Sequence, residues 1–138
     1  MVINGKLNKK QRNALEYYAR LLFTPQLLKH IEITVKFIKL EDYHHGLVTV
    51  DDYNVLGSPR AFIIEINRTD NQETKLVSLA HELVHVKQYA RNELNEEMTY
   101  WRGKYVNSDE IPYEQQPWEI EAESKGKELY ESFCNHKT

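Results

Sequence analysis

The stretch Glu73-Thr-Lys-Leu-Val-Ser-Leu-Ala-His81-Glu82-Leu83-Val84-His85-Val-Lys-Gln-Tyr-Ala-Arg91 decides how this chain is read. Its apolar residues recur at helical spacing. With His81 set to zero, Leu76, Leu79, Ala80, Leu83, Val86 and Ala90 fall within an arc of about 140° to 260°. That arc is a core-facing stripe. Ser78, His81, Glu82 and His85 lie opposite it, within roughly 0° to 100°. The histidines therefore stand apart from the main apolar stripe, although a solvated helix face is compatible with this helix taken alone.

The spacing His81-x-x-x-His85 carries chemistry. Residues four apart on a helix share a face, about 40° apart around the axis. Their imidazoles can then reach one Zn²⁺ at about 2.1 Å. Glu82 points to the adjacent side, where it can take a proton from a water on the metal. This is the H-E-x-x-H pattern, a signature of zinc sites on helices.

Such a site needs a third protein ligand and one open position. No histidine follows His85 until His136, so carboxylates are the alternative. Pro117-Trp-Glu119-Ile-Glu121-Ala-Glu123 offers three, and helix phase separates them. With Glu119 at zero, Trp118, Ala122, Gly126, Leu129, Tyr130 and Phe133 cluster between about 260° and 20°. Glu119 sits inside that apolar stripe, Glu123 adjoins it, and Glu121 points outward. A carboxylate on a buried stripe is costly unless it is paired or bound to a cation. Glu119 is thus the expected third ligand. Glu123, one turn on, could accept a hydrogen bond from a ligand imidazole.

Around these two helices the chain reads as one α+β domain over residues 1–138. Asn8 is placed to cap a first helix reaching about Phe23. Pro25 to His30 forms a short turn or bend. Three strand-like segments follow: Ile31–Leu40, with Ile31, Ile33, Val35 and Phe37 alternating, then His45–Val50 and Ala61–Asn67. Met98 to Val106 could form a further strand or a hairpin around Gly103. Residues 107 to 116 read as loop, and Pro117 suits the first turn of a last helix ending near Phe133. The tail Cys134–Thr138 is expected to fray. The result is an N-terminal helix, a small three- to four-stranded mixed sheet, the His81–His85 helix and a C-terminal glutamate helix.

Composition narrows the setting. Of 138 residues, 41% are hydrophobic and 28% charged, which excludes disordered and low-complexity readings. No apolar run approaches the roughly 20 residues of a membrane span, and the N-terminus lacks signal-peptide order. A net charge of −3 argues mildly against nucleic-acid binding driven by backbone electrostatics. Cys134 is the single cysteine, so no internal disulfide and no cysteine-built zinc site can form, and a cytoplasmic location is expected. The adjacent pair His44-His45 reads as loop, because neighbouring residues on a strand face opposite ways.

The combination of His81-Glu-Leu-Val-His85 with Glu119-Ile-Glu-Ala-Glu123 resembles the gluzincin metallopeptidases. There the third zinc ligand is the first glutamate of an E-x-x-x-D-like motif on a later helix. The short chain resembles the minigluzincins. The order strand, Gly-containing loop, strand, H-E-x-x-H helix and glutamate helix resembles the ImmA/IrrE-type metallopeptidase domains. The likeness runs from about residue 31 to residue 133, and two motifs carry it. It implies a zincin-like fold holding one Zn²⁺ on His81, His85 and Glu119, with Glu82 as general base. Glu123 departs from the family's Asp or Asn, which puts its supporting role in question. The metzincin pattern is absent, since Gln88 and Asn92 stand at its Gly and His places. The resemblance also implies that Arg60–Arg68 forms an exposed edge along the cleft, to which an extended peptide could add.

The expected function is zinc-dependent hydrolysis of peptide bonds in a protein or peptide substrate. The alternatives are a non-catalytic metal-binding interaction module and a regulatory protease with a single target. Tyr100, Arg102, Tyr105 and Tyr113 lie between the two motifs and are the candidates for stabilising an oxyanion; the sequence singles out none of them.

Overall fold

Asn8 begins the first helix, α1 (Lys9–Leu22), by closing a capping box. Its Oδ1 accepts from the Gln11 N–H at 2.8 Å, and the Gln11 side chain accepts from the Asn8 N–H at 3.0 Å. The structure, a computed structural model, describes residues 1–41 and 44–136. Among them the chain forms α1, α2 (Pro25–Leu28), α3 (Gln72–Ala90) and α4 (Pro117–Asn135). The strands are β1 (Val2–Gly5), β2 (Glu32–Ile38), β3 (Gly46–Tyr53), β4 (Pro59–Asn67), β5 (Tyr100–Trp101) and β6 (Lys104–Tyr105). The mixed α+β class is as expected.

The main sheet has the order β1-β2-β4-β3. β1, β2 and β4 run parallel, and β3 returns antiparallel against β4. β1 lies outside the sequence expectations: it is short, and parallel pairing with β2 across an intervening helix is what defines it. Of the two readings of residues 98–106, the hairpin is the one formed, with Tyr100 opposite Tyr105 and Trp101 opposite Lys104.

The edge expectation is corrected. β4 is an inner strand, bonded to β2 on one side and β3 on the other. Its sequence explains this. Phe62, Ile64 and Ile66 are buried on the helix-facing side, and Ala61 and Ile63 keep the other side apolar enough for an interior position. β3 carries Thr49, Asp51 and Asp52, the polar and charged character of a strand with a free edge.

Helix α3 packs on β3 and β4, with α1 and α4 against its flanks. Tyr18 of α1 ties the helices together through its hydroxyl, which donates to the Leu76 carbonyl at 3.0 Å. Leu76, Leu79, Ala80, Leu83, Val86 and Ala90, the expected stripe, are all buried. The C-terminal tail differs from expectation. α4 continues through Cys134 and Asn135, and the His136 ring lies 4.9 Å from that of Tyr17. Stacking on an aromatic side chain of α1 holds this turn in place; Lys137 and Thr138 lie outside the described residues.

Candidate metal centre

Asn71 caps α3, accepting from the Thr74 N–H at 2.8 Å, and the helix then runs unbroken through both histidines. The His81 and His85 rings stand one turn apart, with centroids separated by 5.0 Å. α4 begins at Pro117, and the Trp118 indole beside it is completely buried, 6.1 Å from that of Trp101. That anchor fixes the first turn of α4, and Glu119 follows immediately. Farther along, a Cβ built on Gly126 would stand 3.2 Å from the Cα and backbone nitrogen of His81. The two helices touch backbone to backbone there. Glu119 precedes that contact by two turns, which sets it beside the imidazoles.

The outcome is convergence. Glu119 Oε1 lies 3.1 Å from His81 Nε2 and 3.1 Å from His85 Nε2. The three ligand atoms all fall within 4.8 Å of one another. Donors bound at about 2.1 Å to one tetrahedral ion stand roughly 3.4 Å apart, so two imidazole nitrogens and a carboxylate in this arrangement suit a divalent cation. These residues could hold a metal ion. The solvated-face reading of α3 is excluded, because Ser78, Glu82 and His85 are each only 6% exposed. α4 covers the face that the helix alone would leave to water.

Glu82 lies in the same wall. Burial pushes its carboxyl up from the ordinary value, against the opposing pull of His85 and His81. For His85, burial works against the charged ring. The hydrogen bond to Glu119 and the charges of Glu82 and Glu119 outweigh it, and the pKa is pushed up to about 9. Burial likewise raises Glu119, yet hydrogen bonds from His81, His85 and Tyr113 hold it well below the usual carboxylate range. His85 and Glu119 thus each shift towards the charged form.

These groups open onto a cleft of about 860 Å³, bordered by Gly46, Leu47 and Val48 of β3, by Val77 and Ser78 of α3, and by Met98 and Tyr113. Of the four oxyanion candidates, Tyr113 borders the cleft, and its hydroxyl donates to Glu119 Oε1 at 2.9 Å. Tyr100 and Tyr105 stack on each other at 5.9 Å, and Arg102 pairs with Glu121 at 2.6 Å. His44 and His45 also border the cleft, and His45 Nδ1 pairs with Asp70 at 2.9 Å.

Two details depart from the sequence reading. Glu123 Oε2 is 3.7 Å from His81 Nδ1, beyond hydrogen-bond reach, on a side chain 64% exposed. Glu121 does not face open solvent. It accepts from Lys87, Gln88 and Arg102, because α3 and the β5–β6 hairpin close over the outer side of α4. Gln88, noted in the sequence only as a mismatch to the metzincin pattern, accepts from His85 Nδ1 at 2.8 Å. Its position three residues after His85, on the same helix face, was the available signal.

No protein-family model, curated protein or solved structure matches the chain.

Proposed function

We propose that this protein is a zinc-dependent peptide hydrolase of the gluzincin type, with His81, His85 and Glu119 holding the ion and Glu82 as general base. The observation that carries the reading is the meeting of both Nε2 atoms with one Glu119 oxygen, beside a buried Glu82 in a cleft wall. A zinc ion held there supplies Lewis acidity, which acidifies water and polarises a carbonyl.

The chain's own residues supply the rest. The raised proton affinity of Glu82 suits a base that accepts the proton of the attacking water and returns it to the leaving amine nitrogen. Water oxygen joins the carbonyl carbon, the C–N bond breaks, and Glu82 ends the cycle ionised. Tyr113 borders the cleft, and its one hydroxyl hydrogen, which lies on Glu119, would have to turn to meet charge developing on the carbonyl oxygen. An extended peptide would lie along β3, which among the described residues is the terminal strand of the sheet and whose first residues border the cleft. The cytoplasmic setting expected from the single cysteine belongs to the same proposal; among the described residues no helix is long and apolar enough to cross a membrane.

The test is metal content after purification without chelators, together with cleavage of a denatured-protein panel by wild type and by Glu82→Gln. Stoichiometric zinc, with cleavage lost in the variant, is the expected result. Protein that takes up no zinc removes the proposal. Zinc without turnover on any substrate, including proteins trapped by Glu82→Gln, leaves a non-catalytic metal-binding module.

A further inference from the structure

Gln88 is completely buried where α3 meets α4, and its amide has three partners. One end lies 2.8 Å from His85 Nδ1. The other lies 3.0 Å from the Trp118 carbonyl and 3.0 Å from Glu121 Oε1. The two ends of a side-chain amide are nearly alike in shape, so the partners decide its sense. A backbone carbonyl and a carboxylate only accept. The end facing them is therefore the NH₂ group, with both hydrogens used. The end facing His85 is then the carbonyl oxygen, which can only accept. A hydrogen must sit on His85 Nδ1, and Nε2 is the nitrogen left to face Glu119 Oε1.

The acceptor side is itself held. Glu121 Oε1 receives Lys87 Nζ at 2.9 Å, and its Oε2 receives Arg102 at 2.6 Å. Two cations keep Glu121 in place as a carboxylate, which keeps Gln88 from turning over. The two imidazoles are consequently held very differently. Among the described residues His81 Nδ1 meets the exposed Glu123 at 3.7 Å, whereas His85 is bound to a side chain with no solvent exposure.

We infer that Gln88 is a positioning residue: it holds His85 in the Nδ1–H form with Nε2 presented to the metal, and Glu121, clamped by Lys87 and Arg102, sets the sense in which Gln88 lies. The inference rests on the metal reading above. It also gives Gln88 a second task. The amide grips the carbonyl of Trp118, the residue before Glu119, so one side chain couples the ligand on α3 to the ligand on α4. Hydrogen-bond partners of metal-bound imidazoles carry about 10- to 100-fold in affinity.

The experiment measures zinc affinity by chelator competition for wild type, Gln88→Met and the double variant Gln88→Glu/Glu121→Gln. Methionine keeps the volume and removes the acceptor. The double variant keeps an acceptor towards His85 and lets the amide at position 121 donate to the new carboxylate, while the Trp118 carbonyl loses its donor. Gln88→Met is expected to bind about 10- to 100-fold more weakly, with the double variant recovering the part of that loss carried by the acceptor to His85 and not the part carried by the Trp118 carbonyl. Long-range ¹H–¹⁵N spectra of zinc-loaded wild type should show His85 protonated at Nδ1 and metal-shifted at Nε2, a readout that depends on no variant folding. Zinc affinity unchanged in Gln88→Met, or His85 bound through Nδ1, overturns the inference while leaving the metal reading intact. A wild type that binds no zinc overturns both.

Discussion

Gly126 of α4 lies so close to His81 of α3 that a methyl group in place of its hydrogen would press on the His81 backbone at 3.2 Å. The neighbour is helix backbone and cannot rotate away. Gly126→Ala gains roughly 1 kcal/mol of helix propensity, but forcing two packed helices apart costs about 1–3 kcal/mol. A net loss of about 1 kcal/mol is expected in urea unfolding, with a larger loss for Gly126→Val. Metal affinity should fall in step, because the same contact sets how far Glu119 reaches. Affinity unchanged in a destabilised Gly126→Ala protein would separate the packing from the site.

The carboxylates of α4 divide sharply by role. Glu119→Ala removes the oxygen shared by both imidazoles and is expected to reduce zinc affinity by more than about 100-fold, beyond the range carried by partners of ligands. Glu123→Ala removes an exposed group 3.7 Å from His81 and should cost less than about tenfold. Chelator competition ranks the two. The reverse order would reassign the third ligand.

Tyr113→Phe separates two jobs for one hydroxyl. If the hydroxyl serves the developing oxyanion, kcat should drop about 100-fold while KM and zinc affinity stay near wild type. If it serves chiefly to hold Glu119, through the 2.9 Å hydrogen bond, the loss should appear in zinc affinity. The second outcome is expected, because the one hydrogen of this hydroxyl lies on Glu119.

The metal-free protein should lose stability as the pH rises from neutral. His85 is raised from 6.5 to about 9 in the folded state, so its contribution is complete below about 6.5 and disappears as the pH climbs through about 9. Glu82, also raised, acts in the same sense. Glu119 is lowered, so its contribution is already complete above about 4.5 and stays constant over this window. Thermal unfolding of chelator-treated protein between these limits should show a falling Tm that bound zinc abolishes. A Tm that rises instead would contradict the charge arrangement around Glu119.

Much of this architecture is written locally. The Asn8 and Asn71 side chains, the alternation in Glu32–Ile38 and the 3.6-residue stripes of α3 and α4 all act within a few residues, and each element stands close to its expected bounds. The same phase argument separates Glu119 from its neighbours on α4, because burying an unpaired carboxylate is costly wherever the helix ends up. The sequence by itself therefore singled out His81, His85 and Glu119, the three side chains that the fold brings within 4.8 Å of one another.

Tertiary structure decided how they are held. Whether Arg60–Arg68 is an edge or an interior strand depends on whether β2 pairs with it past the intervening β3, and that pairing leaves only a faint mark in one strand's alternation. Glu121 looks solvent-facing on an isolated helix and becomes an anchor only when Lys87 and Arg102 arrive from other elements. Gln88 gains meaning from a carbonyl and a carboxylate on α4 that meet its amide across the helix interface. Helical periodicity tells a residue which way it faces on its own element; only docking of a second element supplies the partner that gives a polar side chain its orientation.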